Sequence, residues 1–387
     1  MTENIEIKLG DCLEVLKTLP DNSVDSIVTD PPYGLKFCGE KWDKGVPGVE
    51  CWKECLRVLK PGGYLLAFAG TRTQHLMCTN IEKAGFEIRD MIAWVYGEGF
   101  PKGENIAIAI DKKKGLQEDR AHNFNVASQN AKKWEGKDPL AGRDNSLRCD
   151  AKNFVPYEPK CEESRKWNGW NTALKPAFEP ITMARKPFPR KSTCVQNVLE
   201  YGTGAINIDG CRVPVNNGEK TGWNGNSNPG SYGGYTGRDG KAYLQKVGGR
   251  YPANFIHDGS HEVLDLFPSS QSSAAIRHNS GQQRLFDGLN ACEGFGFADE
   301  GNNSRFFYCA KASAKERGEY NKHTTVKPLA LMQYLTRLVT QKGGTVLDPF
   351  LGSGTTAMAC VKEGFKCIGI EKNPEYYEIA KKRVLEV

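Results

Sequence analysis

Apolar and polar positions alternate with two different periods along the first hundred residues. Ile5 to Leu9 alternates every second residue, as a strand does, and Cys12 to Leu19 places its apolar residues at helical spacing. Asp25 to Thr29 reads as a short buried strand. Glu50 to Leu59 reads as an amphipathic helix that Pro61-Gly62-Gly63 brings to a stop. Tyr64 to Ala69 is a continuous apolar run, Thr73 to Ala84 a helix and Phe86 to Val95 a strand. The rhythm returns in the last sixty residues: a helix from Lys327 to Val339, a strand from Thr345 to Leu347, and a helix from Thr355 to Glu363. A strand from Lys366 to Glu371 and a final helix from Pro374 to Val384, with proline in its first turn, complete it. Such alternation predicts an α/β fold with a mostly parallel sheet covered on both faces. Neither end carries enough strands for a full sheet, so the two ends are expected to meet in one domain.

Between them the pattern changes. Residues 111–250 are polar, weakly periodic and rich in Lys, Asn, Gly and Trp. Asn216 to Gly240 reads as a long flexible loop, made less bland by Trp223, Tyr232 and Tyr235. With 387 residues there is room for two domains or one large decorated α/β domain. At 39% apolar and 25% charged residues, global disorder is excluded. No apolar run approaches the ~18 residues that a membrane span needs. The N-terminus lacks the basic-then-apolar pattern of a secretory signal. Thirteen Cys without a Cys-x-x-Cys argue against a disulfide framework or a zinc ribbon, and for a reducing cytoplasm.

The net charge of +6 gains meaning only when divided along the chain. Residues 1–110 hold 12 basic against 16 acidic side chains, and residues 251–300 hold 2 against 7. Residues 301–387 hold 14 against 8, and residues 111–250 hold 24 against 15. The polar middle is therefore the most basic stretch, as a segment that neutralises phosphates would be.

Two motifs carry candidate chemistry. The first, Ile27-Val28-Thr29-Asp30-Pro31-Pro32-Tyr33, is a buried strand ending in two prolines. The prolines fix the backbone, remove two N–H donors and present the Pro31 carbonyl as an acceptor. The Asp30 carboxylate stands beside it, and Tyr33 adds an aromatic face. Two acceptors and a ring suit a planar exocyclic amine, whose lone pair is freed for attack when both hydrogens are held. Read alone, the motif is also compatible with a proline-stiffened turn. In the second, Thr345-Val346-Leu347-Asp348-Pro349-Phe350-Leu351-Gly352-Ser353-Gly354-Thr355-Thr356, a strand enters a Gly-x-Gly turn and then a helix. Glycines there admit a ligand close to the backbone, and the helix start favours an anionic group. Glu371 ends the next strand, about 20 residues on, where an acid can take ribose hydroxyls. That pairing points to a nucleoside cofactor without saying which. A tight turn alone, or the nicotinamide site of a dehydrogenase, would also use the two glycines.

Together, and in this order, the motifs resemble the S-adenosylmethionine-dependent amino-group DNA methyltransferases, in the permuted class where Asp-Pro-Pro-Tyr precedes the cofactor motif. The resemblance covers roughly residues 1–100 and 305–387. A looser similarity to phage and prophage adenine methyltransferases extends through Lys175-Pro176-Ala177-Phe178-Glu179-Pro180-Ile181 and Gly249-Arg250-Tyr251-Pro252-Ala253-Asn254. The resemblance implies a Rossmann-like methyltransferase sheet built from residues 1–110 and 305–387, with target recognition in the insertion 111–304. Asp30, Pro31, Pro32 and Tyr33 match the catalytic motif, with Tyr33 stacking on a base flipped out of the duplex. Asp348, Phe350, Gly352, Ser353, Gly354 and Thr355 match the cofactor loop, and Glu371 the acid on its ribose. Asp11, after the first strand, resembles the contact to the cofactor adenine. His323-Thr324-Thr325-Val326-Lys327-Pro328 resembles the approach to the cofactor's methionine end, with His323 and Lys327 as contacts; Thr324 and Val326 replace the usual Pro and Gln.

The implied reaction is methylation of adenine N6 in double-stranded DNA by direct in-line transfer. Aspartate at position 30 favours adenine over cytosine N4, whose enzymes more often carry Ser there. The alternatives are a cytosine-N4 enzyme and an inactive DNA-binding protein on the same scaffold. Cytosine C5 chemistry would require a Cys nucleophile, usually after Pro, and none of the 20 prolines is followed by Cys. The class leaves room for a homodimer and for a separate cognate nuclease, and no nuclease motif stands in this chain. Phe37 and Trp42 are candidates to close over a flipped base, with core packing as the other reading. His257-x-x-x-His261 with Glu262 lacks a third ligand, so no metal is expected. Cys51 and Cys55, one helical turn apart, read as helix packing.

Overall fold

In the computed structural model the described residues are 4–35, 43–97, 103–116, 157–213, 251–265, 267, 307–309, 311–318, 320–323 and 325–387. Short strand pieces at 235–236, 242–243, 269–272, 276–277, 294–295 and 299–302 complete them. Two units are distinguished: residues 1–97 with 178–387, and residues 98–177.

The larger unit is organised around β2, Val24–Thr29, a strand whose six residues are all buried. Ile27 and Val28 point to opposite faces, so both sides must be covered. Numbering only strands of the main sheet, β1 is Ile5–Leu9, β3 Leu59–Phe68, β4 Glu87–Val95, β5 Phe178–Arg185, β6 Phe255–His257 and β7 Phe307–Tyr308. β8 is Thr345–Asp348 and β9 Lys366–Glu371. The nine strands lie in the order β1-β9-β8-β2-β3-β5-β4-β6-β7. Only β5 runs antiparallel to its neighbours. The expected α/β, Rossmann-like, mostly parallel sheet is thus present, and the two C-terminal strands β9 and β8 are inserted between the N-terminal strands β1 and β2. Two of its strands, β5 and β6, come from residues within 111–304, the span assigned above to target recognition.

Helices α1 (Cys12–Leu16), α2 (Val49–Val58), α3 (Gln74–Lys83), α4 (Cys194–Tyr201), α5 (Leu329–Val339), α6 (Thr355–Glu363) and α7 (Pro374–Leu385) belong to this unit. Leu16, Trp52, Cys55, Met77 and Ile81 pack with Ile27, Leu65 and Leu347 on one side of the sheet. Met332, Leu335, Ala357 and Ala359 pack with Val28, Leu66, Phe68 and Trp94 on the other. Cys51 and Cys55 lie in the first cluster, as helix packing predicts. α1 is shorter than the pattern suggests, and residues 18–19 finish in tighter i→i+3 bonds.

Pro61-Gly62-Gly63 behaves differently from its expected role as a stop. α2 ends at Val58, Leu59 is already extended, and the three residues form an irregularity inside β3. Gly62 takes φ +78°, and the Pro61 carbonyl accepts from Asn197 Nδ2 at 2.9 Å and Thr203 Oγ1 at 2.5 Å. A bulge held by side chains therefore stands where the sequence suggested a turn. α4, which supplies Asn197, opens on a Thr193–Gln196 capping box that the polar surroundings obscured.

Polar pairs tie β2 to β3, to β8 and to the turn before β8, which comes from the far end of the chain. Ser26 Oγ meets Thr340 Oγ1 at 2.7 Å. Asp25 accepts from Lys60 Nζ at 2.6 Å and from the Thr345 amide at 2.7 Å. Thr29 Oγ1 donates to Asp348 Oδ1 at 2.6 Å, and Thr356 Oγ1 donates to Asp348 Oδ2 at 2.5 Å. Asp348 is 2% exposed, and burial pushes its carboxyl up to about 6 against the bonds from Thr29, Thr356 and the Phe350 amide.

The smaller unit contains helices Ile106–Lys113, capped by Asn105, and Glu162–Lys166. Asp111 accepts from Tyr157 Oη at 2.5 Å and from the Lys160 amide at 2.9 Å. Among the described residues no helix is long and apolar enough to cross a membrane.

Two predictions concern this frame. Gly354 has φ +87°, and a Cβ there would lie 2.9 Å from Ala380 Cβ and 3.0 Å from its Cα, on α7. Gly354→Ala is expected to lower unfolding free energy by about 1–3 kcal/mol in denaturant titrations; an unchanged midpoint would contradict this packing. The Asp348 pKa stands above its unfolded value, so the native state binds the additional proton and is favoured at low pH. That advantage vanishes as pH rises through about 6. Relative to Asp348→Asn, the wild type is expected to lose about 2–3 kcal/mol of stability between about pH 4 and pH 7. Parallel stability–pH curves for the two proteins would refute it.

Candidate active site

The parallel strands β1, β9, β8, β2 and β3 end on one edge of the sheet, and the candidate residues gather there. This is where open α/β sheets hold ligands, because the loops leaving adjacent strands diverge. β5 runs the other way, so its first residues, Phe178 and Glu179, reach the same edge.

The first group follows β2. Asp30 and Tyr33 are joined by Tyr33 Oη donating to Asp30 Oδ1 at 2.7 Å. Lys327 Nζ donates to Asp30 Oδ2 at 2.6 Å and to Tyr33 Oη at 3.1 Å. Glu179 Oε2 lies 3.2 Å from Lys327 Nζ and 3.1 Å from Tyr33 Oη. The ammonium also sits 4.8 Å above the Phe68 ring. Lys327, expected among the cofactor contacts, donates to the Asp-Pro-Pro-Tyr aspartate. A backbone approach motif predicts where the chain passes, whereas the long lysine side chain turns toward the nearest buried carboxylates.

Burial raises the Asp30 pKa, Lys327 opposes the rise and Glu179 adds to it. For Lys327 burial disfavours the charge, but the Asp30 and Glu179 carboxylates outweigh it and raise the pKa. Tyr33 is raised by burial and then by the same two anions, so it remains a hydroxyl donor. Pro31 is buried and Pro32 half-buried. The turn after them is held by Asp43, whose carboxylate accepts from the Gly34 amide at 2.6 Å and the Leu35 amide at 3.1 Å. Phe37 and Trp42 lie outside the described residues.

The second group surrounds the Gly-x-Gly turn. Glu371 Oε2 accepts from the Gly352 amide at 2.8 Å and Oε1 from the Asn373 amide at 2.7 Å. Burial raises the Glu371 pKa. Each carboxylate oxygen retains a second lone-pair site, as a ribose contact requires. Gly352 has φ +56°, and a Cβ there would meet His323 Nε2 at 3.1 Å, so the turn closes against the imidazole. His323 packs edge-on to Tyr376 at 4.5 Å, and its pKa is pushed down to about 4 by burial and then by Lys327, Arg317 and Arg383. It is neutral at pH 7. Asp11 caps α1 through the Leu13 amide at 3.0 Å and pairs with Lys372 at 2.9 Å. That contact to Lys372 holds its pKa below the usual carboxylate range.

Other members of this group face inward. The Asp348 carboxylate is spent on Thr29, Thr356 and Phe350 N, so it joins the two turns. Phe350 packs against Trp52, with ring centroids 6.4 Å apart. Arg383, buried on α7, donates to Ser353 O at 2.8 Å, Ser353 Oγ at 3.0 Å and Thr355 Oγ1 at 3.1 Å. Ser353 and Thr355 are thus fixed from behind. The sequence reading missed Glu179, Asp43 and Arg383. Only Glu179 left a signal, as an acid at the start of an apolar run within a quoted motif.

The set suits a nucleoside cofactor: an acid at the end of β9, a turn whose backbone a ligand can approach, the start of α6 and a second acid after β1. Among the described residues no cluster of three or more His, Cys, Asp or Glu could hold a metal ion. His257 is buried on β6, where its Nδ1 accepts from the Gly259 amide at 3.1 Å.

Comparison with known proteins gives this arrangement its family. The type II methyltransferase M.HindIII of Haemophilus influenzae is 22% identical over 97% of this chain and 93% of its own length. The DNA adenine methyltransferase YhdJ of Escherichia coli is 42% identical over 66 residues, 17% of this chain and 22% of its own. The solved structure of the cytosine-N4-specific PvuII DNA methyltransferase aligns with 99% of this chain and 87% of its own, at 14% identity and a TM-score of 0.47. A sequence model of the N6/N4 DNA methylases matches residues 24–382, and so the chain belongs to the DNA methylase family.

Proposed function

We propose that the chain methylates adenine N6 in duplex DNA, with Asp30 as the acceptor for the amine of an extruded base. The family's methyl donor is S-adenosylmethionine, which supplies a methyl carbon bound to a sulfonium sulfur. The observation that carries the reading is the joining of the two turns. Thr29, next to Asp30, is hydrogen-bonded to Asp348, which opens the Gly-x-Gly turn. Asp30 and the Gly-x-Gly turn are therefore fixed to one frame, which supports a transfer between two bound partners.

The contacts support these roles. Glu371 and the turn at Gly352 and Gly354 would hold the donor's nucleoside, with Asp11 as a second acid for it. Neutral His323 lines the turn without repelling a cation. Asp30 and the Pro31 carbonyl take the two hydrogens of the amine, and Tyr33 orients the carboxylate and offers its ring. The protein thus supplies position and polarisation, and no covalent enzyme intermediate is needed. The base reaches Asp30 only after leaving the helical stack. The name of YhdJ, a DNA adenine methyltransferase, and the aspartate in the motif support adenine. Contacts to phosphates and base edges fall to the basic insertion. Most of 111–304, with Trp223 and Tyr232, lies outside the described residues.

Expression in a methylation-free host, followed by single-molecule mapping of modified bases, tests the reading. N6-methyladenine in a fixed sequence context is expected; N4-methylcytosine, or no modified base, would overturn it. Asp30→Ala is expected to reduce methyl transfer by at least about 100-fold while cofactor affinity changes little. Substantial turnover by that variant would remove Asp30 from the mechanism. Glu371→Ala is expected to weaken S-adenosylmethionine binding by roughly 10-fold or more in calorimetry, with DNA affinity preserved. The reverse pattern would mean the two ends of the site are misassigned.

A further inference from the structure

We infer that Glu179, at the antiparallel entry of β5, is a positioning residue for the methyl transfer. It shares Lys327 with Asp30 so that the Asp30 carboxylate can accept the amine. The inference rests on the functional reading above and adds a residue to it. The point of departure is that Asp30 has both oxygens engaged, Oδ1 by Tyr33 at 2.7 Å and Oδ2 by Lys327 at 2.6 Å. An ammonium bound to Oδ2 competes with an incoming N–H donor and opposes the positive charge that the amine nitrogen acquires. Glu179 Oε2, at 3.2 Å from the same ammonium, is a second anion within reach of a small rotation. Lys327 is 8% exposed, so leaving one carboxylate without finding another would strand a buried charge.

The charge count favours the same conclusion. Asp30 and Glu179 contribute two negative charges and Lys327 one positive, while Tyr33 stays neutral, so the cluster carries −1. As the amine nitrogen bonds to the methyl carbon, the carbon–sulfur bond breaks and its electron pair goes to sulfur. The positive charge passes to nitrogen, and one N–H proton then leaves to Asp30 and from there to water. A cluster of −1 stabilises that cation, and a cluster of zero, with Lys327 fixed on Asp30, does not. Among the described residues, neutral His323 beside the Gly-x-Gly turn feels Lys327. Tyr96, at the end of β4, hydrogen-bonds Glu179 and has its own pKa raised by burial and by that carboxylate. Lys311 Nζ sits 3.9 Å from the Tyr96 ring centroid, and buried Asp348 feels Asp30 from β8.

Single-turnover methylation of unmethylated genomic DNA, measured across pH, tests the inference. Glu179→Gln is expected to slow the transfer step on the order of 10–100-fold, with S-adenosylmethionine affinity within about 2-fold of wild type. Loss of the neighbouring anion also lowers the Asp30 pKa, so the acid limb of the rate profile moves to lower pH even as the plateau falls. Glu179→Asp, which keeps the charge, is expected to retain the wild-type acid limb and to lose less rate than E179Q. In a Lys327→Met background, E179Q is expected to cost far less than in wild type, because the two act through one another. A wild-type rate and unmoved acid limb in E179Q would overturn the inference, as would an E179D protein equal to E179Q in both. Absence of methyl transfer by the wild type overturns the functional reading and this inference together; an active wild type with an indifferent E179Q overturns this one alone.

Discussion

The pairing of β2 with β8 is the constraint on which the rest of the structure depends. These strands lie about three hundred residues apart in sequence, yet they are neighbours at the centre of one sheet, with Leu347 opposite Ile27. Apolar burial on both faces makes such a pairing favourable, but it does not by itself choose the register. The polar contacts do, since Ser26 with Thr340 and Thr29 with Asp348 can be satisfied only in this alignment. A slip of one residue would leave a buried carboxylate without its hydroxyls, at a cost comparable to a large fraction of net stability. Register and chemistry are coupled because the last of these contacts is adjacent to Asp30.

The parts of this arrangement that were legible in the sequence are those imposed by local backbone chemistry. Prolines 31 and 32, glycines 352 and 354, and an acid at the end of a strand each restrict the chain within a few residues, whatever the remainder does. The helices and strands at both ends were legible for the same reason, since their periodicity is local. Contacts made by long side chains were not. Lys327 was assigned by its place in a motif, but its ammonium settles among carboxylates supplied by β2 and β5. Arg383 looks like one more cation on a charged C-terminal helix, and only packing reveals that it braces Ser353 and Thr355. Pro61-Gly62-Gly63 carried a strong breaking signal, yet Asn197 and Thr203 satisfy the carbonyl that a bulge exposes, and the strand absorbs it.

Electrostatically, the two halves of the site work by opposite means. Around Asp30 the groups are buried but charged, and stability comes from mutual compensation among Asp30, Glu179 and Lys327. Around the Gly-x-Gly turn itself, His323 and Glu371 are neutralised or occupied by the backbone. His323 is driven neutral, and Glu371 is held by two amides. The first half is therefore the one whose charge can respond to a bound group. The second is a rigid seat.

The antiparallel strand of the main sheet has a topological consequence. β4 leaves the sheet and β5 re-enters it on the same edge, with Val95 paired to Phe178 and Trp94 to Glu179. Residues 96–177 thus connect the two strands of a hairpin. The entropy of closing such a loop rises only with the logarithm of its length, so added residues cost the frame little. An excursion attached in this way is exchangeable. It can be lengthened, shortened or replaced between the same two anchoring pairs, while the strand that carries Glu179 stays registered against its neighbours.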